Sequence, residues 1–419
     1  MPARSSKRNP RLLFVTRSLG VGGTERHLAQ IAPALARRGF DVTLYCLAKE
    51  GAQLSELANS GVRLGGTAPM RALAGVGEAV TLATGALGLI PEMLLGRPDI
   101  AHFFLPHAFL AGSIAAAITQ VPIRIMSRRC QNHYQAKHRR LARLEHALHG
   151  TMSAVLGNSQ SVLDELVGDE GVPPERAGLI YNGVDLAAFS APFDRPAVRA
   201  ALGVEPSATV IATLANLISY KGHADLLTGL AQSKDRLPQP WRLLCIGRDG
   251  GALVALQAQA ADLGLAANIL WLGQRRDIAD LLRASDIGVL ASHQEGFSNA
   301  VIECMAAGLP MVVSNAGGNP EAVQHGTTGL VVPAHQPGLL GQAIAQLVSD
   351  RPMAQAMGKR ARQRAETRFS LTACLDTYEQ LYRSLLAGKG VPQQVRGRSP
   401  TNRAGMASQT VDAAESVFM

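Results

Sequence analysis

Short runs rich in Val, Ile, Leu and Phe recur along this chain, and longer Ala- and Leu-rich amphipathic stretches separate them. That alternation limits the fold more than any other feature, because strands alternating with helices assemble into a parallel sheet covered by helices. The first half predicts strands at 11–17, 41–47, 62–64, 99–104, 124–127, 154–158 and 178–181. The second half predicts them at 209–214, 241–246, 268–272, 287–291, 311–314 and 329–332. Two α/β domains follow, which suits 419 residues at about 100 to 200 per domain. The expected division is a first domain over 11–190, a linker over 191–207 that is rich in proline and lacks a strand pattern, and a second domain over 208–370. A terminal helix is expected over 371–386, and residues 1–10 and 387–419 read as disordered.

Composition narrows the function classes. Apolar residues make up 47% and charged residues 17%, enough for two cores and too little charge for a largely disordered chain. The longest apolar run, 79–91, is well short of the ~20 residues that cross a bilayer, and no secretion signal is visible. Five single cysteines without Cys-x-x-Cys spacing argue against a disulfide framework or a cysteine metal cluster and fit a cytoplasmic location. The net charge of +9 is concentrated at the two ends and in 124–149, leaving the rest slightly acidic. Such basic segments suggest an anionic surface or substrate. Aromatics are only 4%, and no basic-aromatic interleaving marks a nucleic-acid binder.

Four stretches carry candidate chemistry. Gly20-Val-Gly22-Gly23-Thr24-Glu25 joins the first strand to a helix expected over 26–37, with Thr24 as N-cap, and suits a phosphate or a sugar; it equally reads as a tight turn. Glu25 stands where a dinucleotide fingerprint needs glycine. Asn216-Leu-Ile-Ser-Tyr-Lys221-Gly222 places a lysine just past a strand end, either for a diphosphate or as a solvated cation. Glu295-Gly296-Phe297-Ser298, with Glu303 eight residues after Glu295, sets two carboxylates around a helix start capped by Ser298. These carboxylates suit hexose and ribose hydroxyls, or are ordinary helix and cap residues. Ser314-Asn-Ala-Gly317-Gly318-Asn319 is a glycine-rich turn after a strand.

In this order the four stretches resemble the family 4 glycosyltransferases over about residues 11–386. The resemblance implies the GT-B fold, two Rossmann-like domains facing a cleft, with a C-terminal helix crossing back to the first. It implies a retaining, metal-independent hexosyl transfer from a nucleotide sugar, UDP- or GDP-linked, to a glycan or lipid-linked acceptor in cell-surface polysaccharide or glycolipid synthesis, with no cofactor. On this likeness Glu295 and Glu303 match the donor-sugar and ribose glutamates, and Lys221 the diphosphate lysine. Gly296, Phe297 and Ser298 match backbone donors, and Gly22 and Gly23 the phosphate and acceptor loop. Asn216 stands where many members carry an arginine, and Arg128-Arg129 where many carry a histidine.

No Asp-x-Asp occurs, so the divalent clamp of the other large glycosyltransferase fold has no candidate. Leaving-group charge would fall to Lys221 and helix-start amides. His107 is the candidate assisting side chain because it follows a strand end, and it equally reads as a polar loop or helix-start residue, whereas His102 lies inside the strand and reads as buried structure. Leu141, Leu144 and Leu148 recur at helical spacing beside arginines, which suits either an anionic membrane surface or a helix packing its leucines inward. Rival functions are a nucleotide-sugar epimerase of the same fold and a non-catalytic lipid- or nucleic-acid-binding module.

Overall fold

All thirteen expected strands form, and their boundaries fall within two residues of those read from the sequence. The computed structural model describes residues 8–20, 22–66 and 76–398. They divide into two units, one holding the described residues up to Tyr181 and those from Cys374 on, the other Asn182–Ala373.

The first unit contains β1 (Arg11–Thr16), β2 (Asp41–Cys46), β3 (Arg63–Gly66), β4 (Ile100–Phe104), β5 (Ile123–Arg128), β6 (Ala154–Gly157) and β7 (Ala177–Leu179). They form one parallel sheet in the order β3-β2-β1-β4-β5-β6-β7. The second contains β8 (Thr209–Leu214), β9 (Trp241–Ile246), β10 (Ile269–Gly273), β11 (Ile287–Leu290), β12 (Met311–Ser314) and β13 (Gly329–Val332), ordered β10-β9-β8-β11-β12-β13. A strand covered on both faces needs no polar alternation, and β4, β6, β11, β12 and β13 are buried at every position. In each sheet the strand order reverses direction once, between β1 and β4 and between β8 and β11. In open α/β sheets ligands bind beyond the carboxyl ends of the strands at this reversal.

Helix patterning follows the same physics. The helix Leu371–Leu386 buries Cys374, Leu375, Tyr378, Leu381, Tyr382 and Leu385, a stripe at three- and four-residue spacing. Its tyrosines reach buried histidines of the first unit: Tyr378 Oη lies 3.0 Å from His27 Nε2, and Tyr382 Oη 2.7 Å from His102 Nδ1.

Several expectations are corrected. The stretch 191–207 is no linker: it contains the helix Arg195–Ala201, capped by Asp194, and belongs wholly to the second unit. Pro196 stands at the start of that helix, where its missing N–H is no loss. Buried Arg199 ties the helix to the unit by donating to the carbonyls of Ala284 and Ala208, both at 2.9 Å. The units part at Tyr181, ahead of the expected end of the first domain at 190. Residues 387–398 are ordered: Val391 and Val395 are buried, and the Val395 carbonyl accepts from Leu179 N at 2.7 Å, covering the edge of β7. Residues 8–10 are placed as well, with Arg8 paired to Asp99 at 2.8 Å. The rest of both expected disordered ends, 1–7 and 399–419, lies outside the described residues. The first long helix is Gly23–Arg37, so Thr24 sits in its first turn and Gly22 takes the cap position.

The basic stretch forms two helices, His133–Lys137 and Arg139–His149. The inward-leucine alternative holds only for Leu148, which packs against the core of the first unit; Leu141 and Leu144 are exposed, while Glu145 and His149 of the same helix are buried. Arg128 explains the inversion. It is fully buried and ion-paired with Glu145 at 2.6 Å and Glu170 at 2.7 Å, so the helix turns its carboxylate inward to meet it.

Candidate functional site

At the strand-order reversal of the second unit, the connections leaving β8 and β11 press against each other. Ser219–Lys221 forms a short 3-10 turn after β8, and Gly222 follows at φ +70°. A Cβ on Gly222 would lie 1.9 Å from the Ala291 carbonyl, so only glycine lets the β8 turn reach the end of β11. This approach carries Lys221 to Glu295: Nζ donates to Oε1 at 2.5 Å, with the side chains 19% and 9% exposed. Ser292 Oγ donates to the same Oε1 at 2.9 Å.

The glycine-rich turn after β12 closes on the same loop. Gly317, at φ +51°, sits where a Cβ would lie 1.7 Å from the Glu295 carbonyl, and Gly318 N donates to the Gly296 carbonyl at 2.9 Å. Ser314 Oγ donates to the Ser292 carbonyl. Gly296, Phe297 and Ser298 are buried, and Phe297 packs on Phe369 with ring centroids 5.2 Å apart. Ser298 occupies the cap position of the helix Asn299–Ala306, but its hydroxyl makes no capping bond to the first turn. Glu303 lies half-buried further along that helix. Asn216 Oδ1 accepts from Arg248 N at 3.2 Å, bringing exposed Arg248 beside the position that lacks the family arginine.

Asn182 escaped sequence reading. Its Nδ2 donates to the Phe297 carbonyl at 2.9 Å and to Asn299 Oδ1 at 2.6 Å, gripping both the loop and the helix start. An asparagine beside a glycine signals only a turn in sequence. His223, next to Gly222, is buried, and burial followed by the nearby Lys221 charge lowers its pKa to about 4, so it is neutral at pH 7.

In the first unit, Gly22 and Gly23 begin the helix after β1, and exposed His107 lies in the first turn of the helix Pro106–Ile118 after β4. These residues flank that sheet's own reversal. Gly22 has an extended backbone, and among the described residues of this turn none is left-handed; Leu105, ahead of His107, is left-handed at φ +71°. His102 is buried, its ring nitrogens 2.7 Å from Tyr382 Oη and from Ser127 Oγ, and burial drives its pKa well down. Arg128, one of the two arginines standing where many family members carry a histidine, is closed inside its ion pairs and has no open face for a ligand. Arg129 is buried as well, and burial lowers its pKa.

Two family models cover most of the chain. "Glycosyltransferase Family 4" matches residues 21–188, and "Glycosyl transferases group 1" matches 194–364. Among curated relatives, the D-inositol 3-phosphate glycosyltransferase of Rhodococcus opacus is 27% identical over 385 residues, covering 86% of this chain and 85% of its own length. The enzyme of that name from Corynebacterium efficiens is 27% identical over 405 residues, covering 90% and 94%. Among solved structures, Anabaena HepE in complex with UDP and glucose superposes with a TM-score of 0.78 at 23% identity, over 90% of this chain and all of that one. WaaG, a glycosyltransferase involved in lipopolysaccharide biosynthesis, gives 0.71 at 18% identity over 90% of this chain and all of its own.

Proposed function

The chain belongs to the family 4 glycosyltransferases and has their GT-B fold, and from that premise we propose that it transfers a hexose from a nucleotide sugar, with retention and without a catalytic metal, to a glycan or lipid-linked acceptor. The observation that carries this reading is the Lys221–Glu295 pair at the strand-order reversal of the second unit. A donor diphosphate is the stronger counter-ion for Lys221, so its arrival frees Glu295 to accept from hexose hydroxyls. Glu303 serves the ribose, and the backbone of Gly296, Phe297 and Ser298 donates to sugar and phosphate. As the sugar–phosphate bond breaks, negative charge grows on the leaving diphosphate, and Lys221 and the first-turn amides of Asn299–Ala306 offset it. Asn216 adds a neutral donor where the family arginine is missing. Gly22, Gly23 and His107 serve the acceptor side.

UDP is favoured as the donor nucleotide, since HepE is solved with UDP-glucose. The relatives' name favours a second acceptor class, an inositol phosphate. A lipid-linked acceptor, and with it a cytoplasmic enzyme touching the inner membrane face, is supported by the outer surface of the first unit. There the helix Pro106–Ile118 packs against both Val76–Gly96 and Arg139–His149; the three expose Leu87, Leu94, Leu95, Ile114, Ile118, Leu141 and Leu144, and the last also exposes Arg139, Arg140 and Arg143. Apolar side chains among cations suit an anionic lipid interface.

A thermal-shift screen of UDP-, GDP- and ADP-sugars is the test, because a ligand that binds only the folded state raises its melting temperature. The expected result is a rise with UDP-sugars that Lys221→Ala and Glu295→Gln abolish. No shift with any nucleotide sugar, or equal shifts in both variants, overturns the donor assignment. Conversion of the hit donor's sugar to its epimer without an acceptor would mark an epimerase instead.

A further inference from the structure

Beside the donor loop lies a second cluster with different chemistry. Asp225 is in the first turn of the helix His223–Gln232 after β8, His293 follows β11, and exposed His335 follows β13. One ligand atom from each lies within 4.8 Å of the others. His293 Nε2 is 2.9 Å from Asp225 Oδ2, and the rings of His293 and His335 face each other with centroids 3.8 Å apart at a 32° tilt. We infer that Asp225, His293 and His335 form a binding site for a zinc ion.

Three facts support this. Zinc takes imidazole nitrogen and carboxylate oxygen at about 2.0–2.2 Å, which puts ligand atoms about 3.3 Å apart in a tetrahedral set, so side-chain adjustment alone can close the triangle. Two imidazoles with one carboxylate suit zinc and exclude magnesium or calcium, which take oxygen ligands. The backbone that presents the ligands is already held. His293 N donates to the Tyr220 carbonyl at 2.8 Å, and Ala334 N to Asn315 Oδ1 at 3.0 Å. His335 itself adopts φ +60°, a conformation that histidine tolerates better than most residues.

The site differs in chemistry from a diphosphate clamp, offering two imidazoles and a carboxylate in place of a lysine. Its consequence is mechanical. An ion there joins the connections of β8, β11 and β13 and pins the loop two residues ahead of Glu295.

The test uses full-length protein stripped with chelator and titrated with zinc by calorimetry, with the melting temperature followed in parallel. The parent is expected to bind one equivalent and to melt higher with zinc. His335→Ala and Asp225→Asn should each weaken binding by ~10-fold or more and remove the melting shift. His138→Ala, at an exposed histidine elsewhere, should change neither. Absence of saturable binding in the parent overturns the inference. So does binding by His335→Ala and Asp225→Asn that matches the parent.

Discussion

Each unit carries a cation at the carboxyl end of a parallel sheet, and the two are built to opposite ends. Arg128, the last residue of β5, is fully buried between Glu145 and Glu170; Tyr134 Oη lies within hydrogen-bond distance of both oxygens of Glu145, and Gln135 Nε2 donates to Oε2. Lys221, just past β8, has one carboxylate partner and remains partly open to solvent. Both are ion pairs, yet one is a closed structural knot and the other has capacity for a second anion. Burial and the number of counter-charges separate them.

The largest expected effect tests the closed pair. Arg128→Ala leaves two buried carboxylates without their cation and should cost about 3–5 kcal/mol of stability by denaturant unfolding. A loss under about 1 kcal/mol would mean that the pair is not the knot described. Lys221→Ala should reverse the pattern. Transfer should fall ~100-fold or more while the melting temperature stays close to the parent's. Equal losses in stability and rate would erase the distinction. The same assay judges His107→Ala, where activity within a few-fold of the parent removes it from the mechanism.

Acid separates the units further, because each holds a group displaced from its ordinary pKa. His223 in the second unit titrates at about 4 against an ordinary 6.5. Below 6.5 the unfolded chain takes up a proton that the folded chain refuses until about 4, so stability should fall across that window, by up to about 3 kcal/mol. For Glu170 in the first unit, burial alone would raise the pKa, but bonds from His149 and Arg128 outweigh it and hold it at about 2 against an ordinary 4.5. Its stabilisation is complete above 4.5 and is lost as pH falls toward 2. A melting-temperature profile against pH should show both windows, and His223→Leu should flatten only the upper one. An unchanged upper window in that variant would assign it to another group. The smallest effect concerns the leucine face. Sedimentation with anionic vesicles should capture the protein at low salt, less at high salt, and less again in Leu141→Ser/Leu144→Ser. Capture indifferent to salt, or none, would count against membrane contact.

Much was legible before any coordinates. Strand positions followed from apolar runs bounded by turn residues, since a strand covered on both faces reads as near-continuous Val, Ile and Leu. Lys221 and Glu295 were visible as candidates because each follows a strand where ligands gather. Helix 195–201 was misread because Pro196 signals a break in sequence and a start in structure. Val391 and Val395 were misread because two valines among glycines and prolines show no period, yet they cover a sheet edge that local patterning cannot anticipate.

Sequence alone therefore determined the two parallel sheets and the order in which candidate residues leave them, since periodicity and turn chemistry are local properties of the chain. Tertiary structure alone decided which of those residues meet. It closed Arg128 and left Lys221 accessible, and it brought Asp225, His293 and His335 together from three separate connections. The reason is physical: burial, counter-charge and ligand geometry depend on distances between segments far apart in the chain, and no local pattern encodes them.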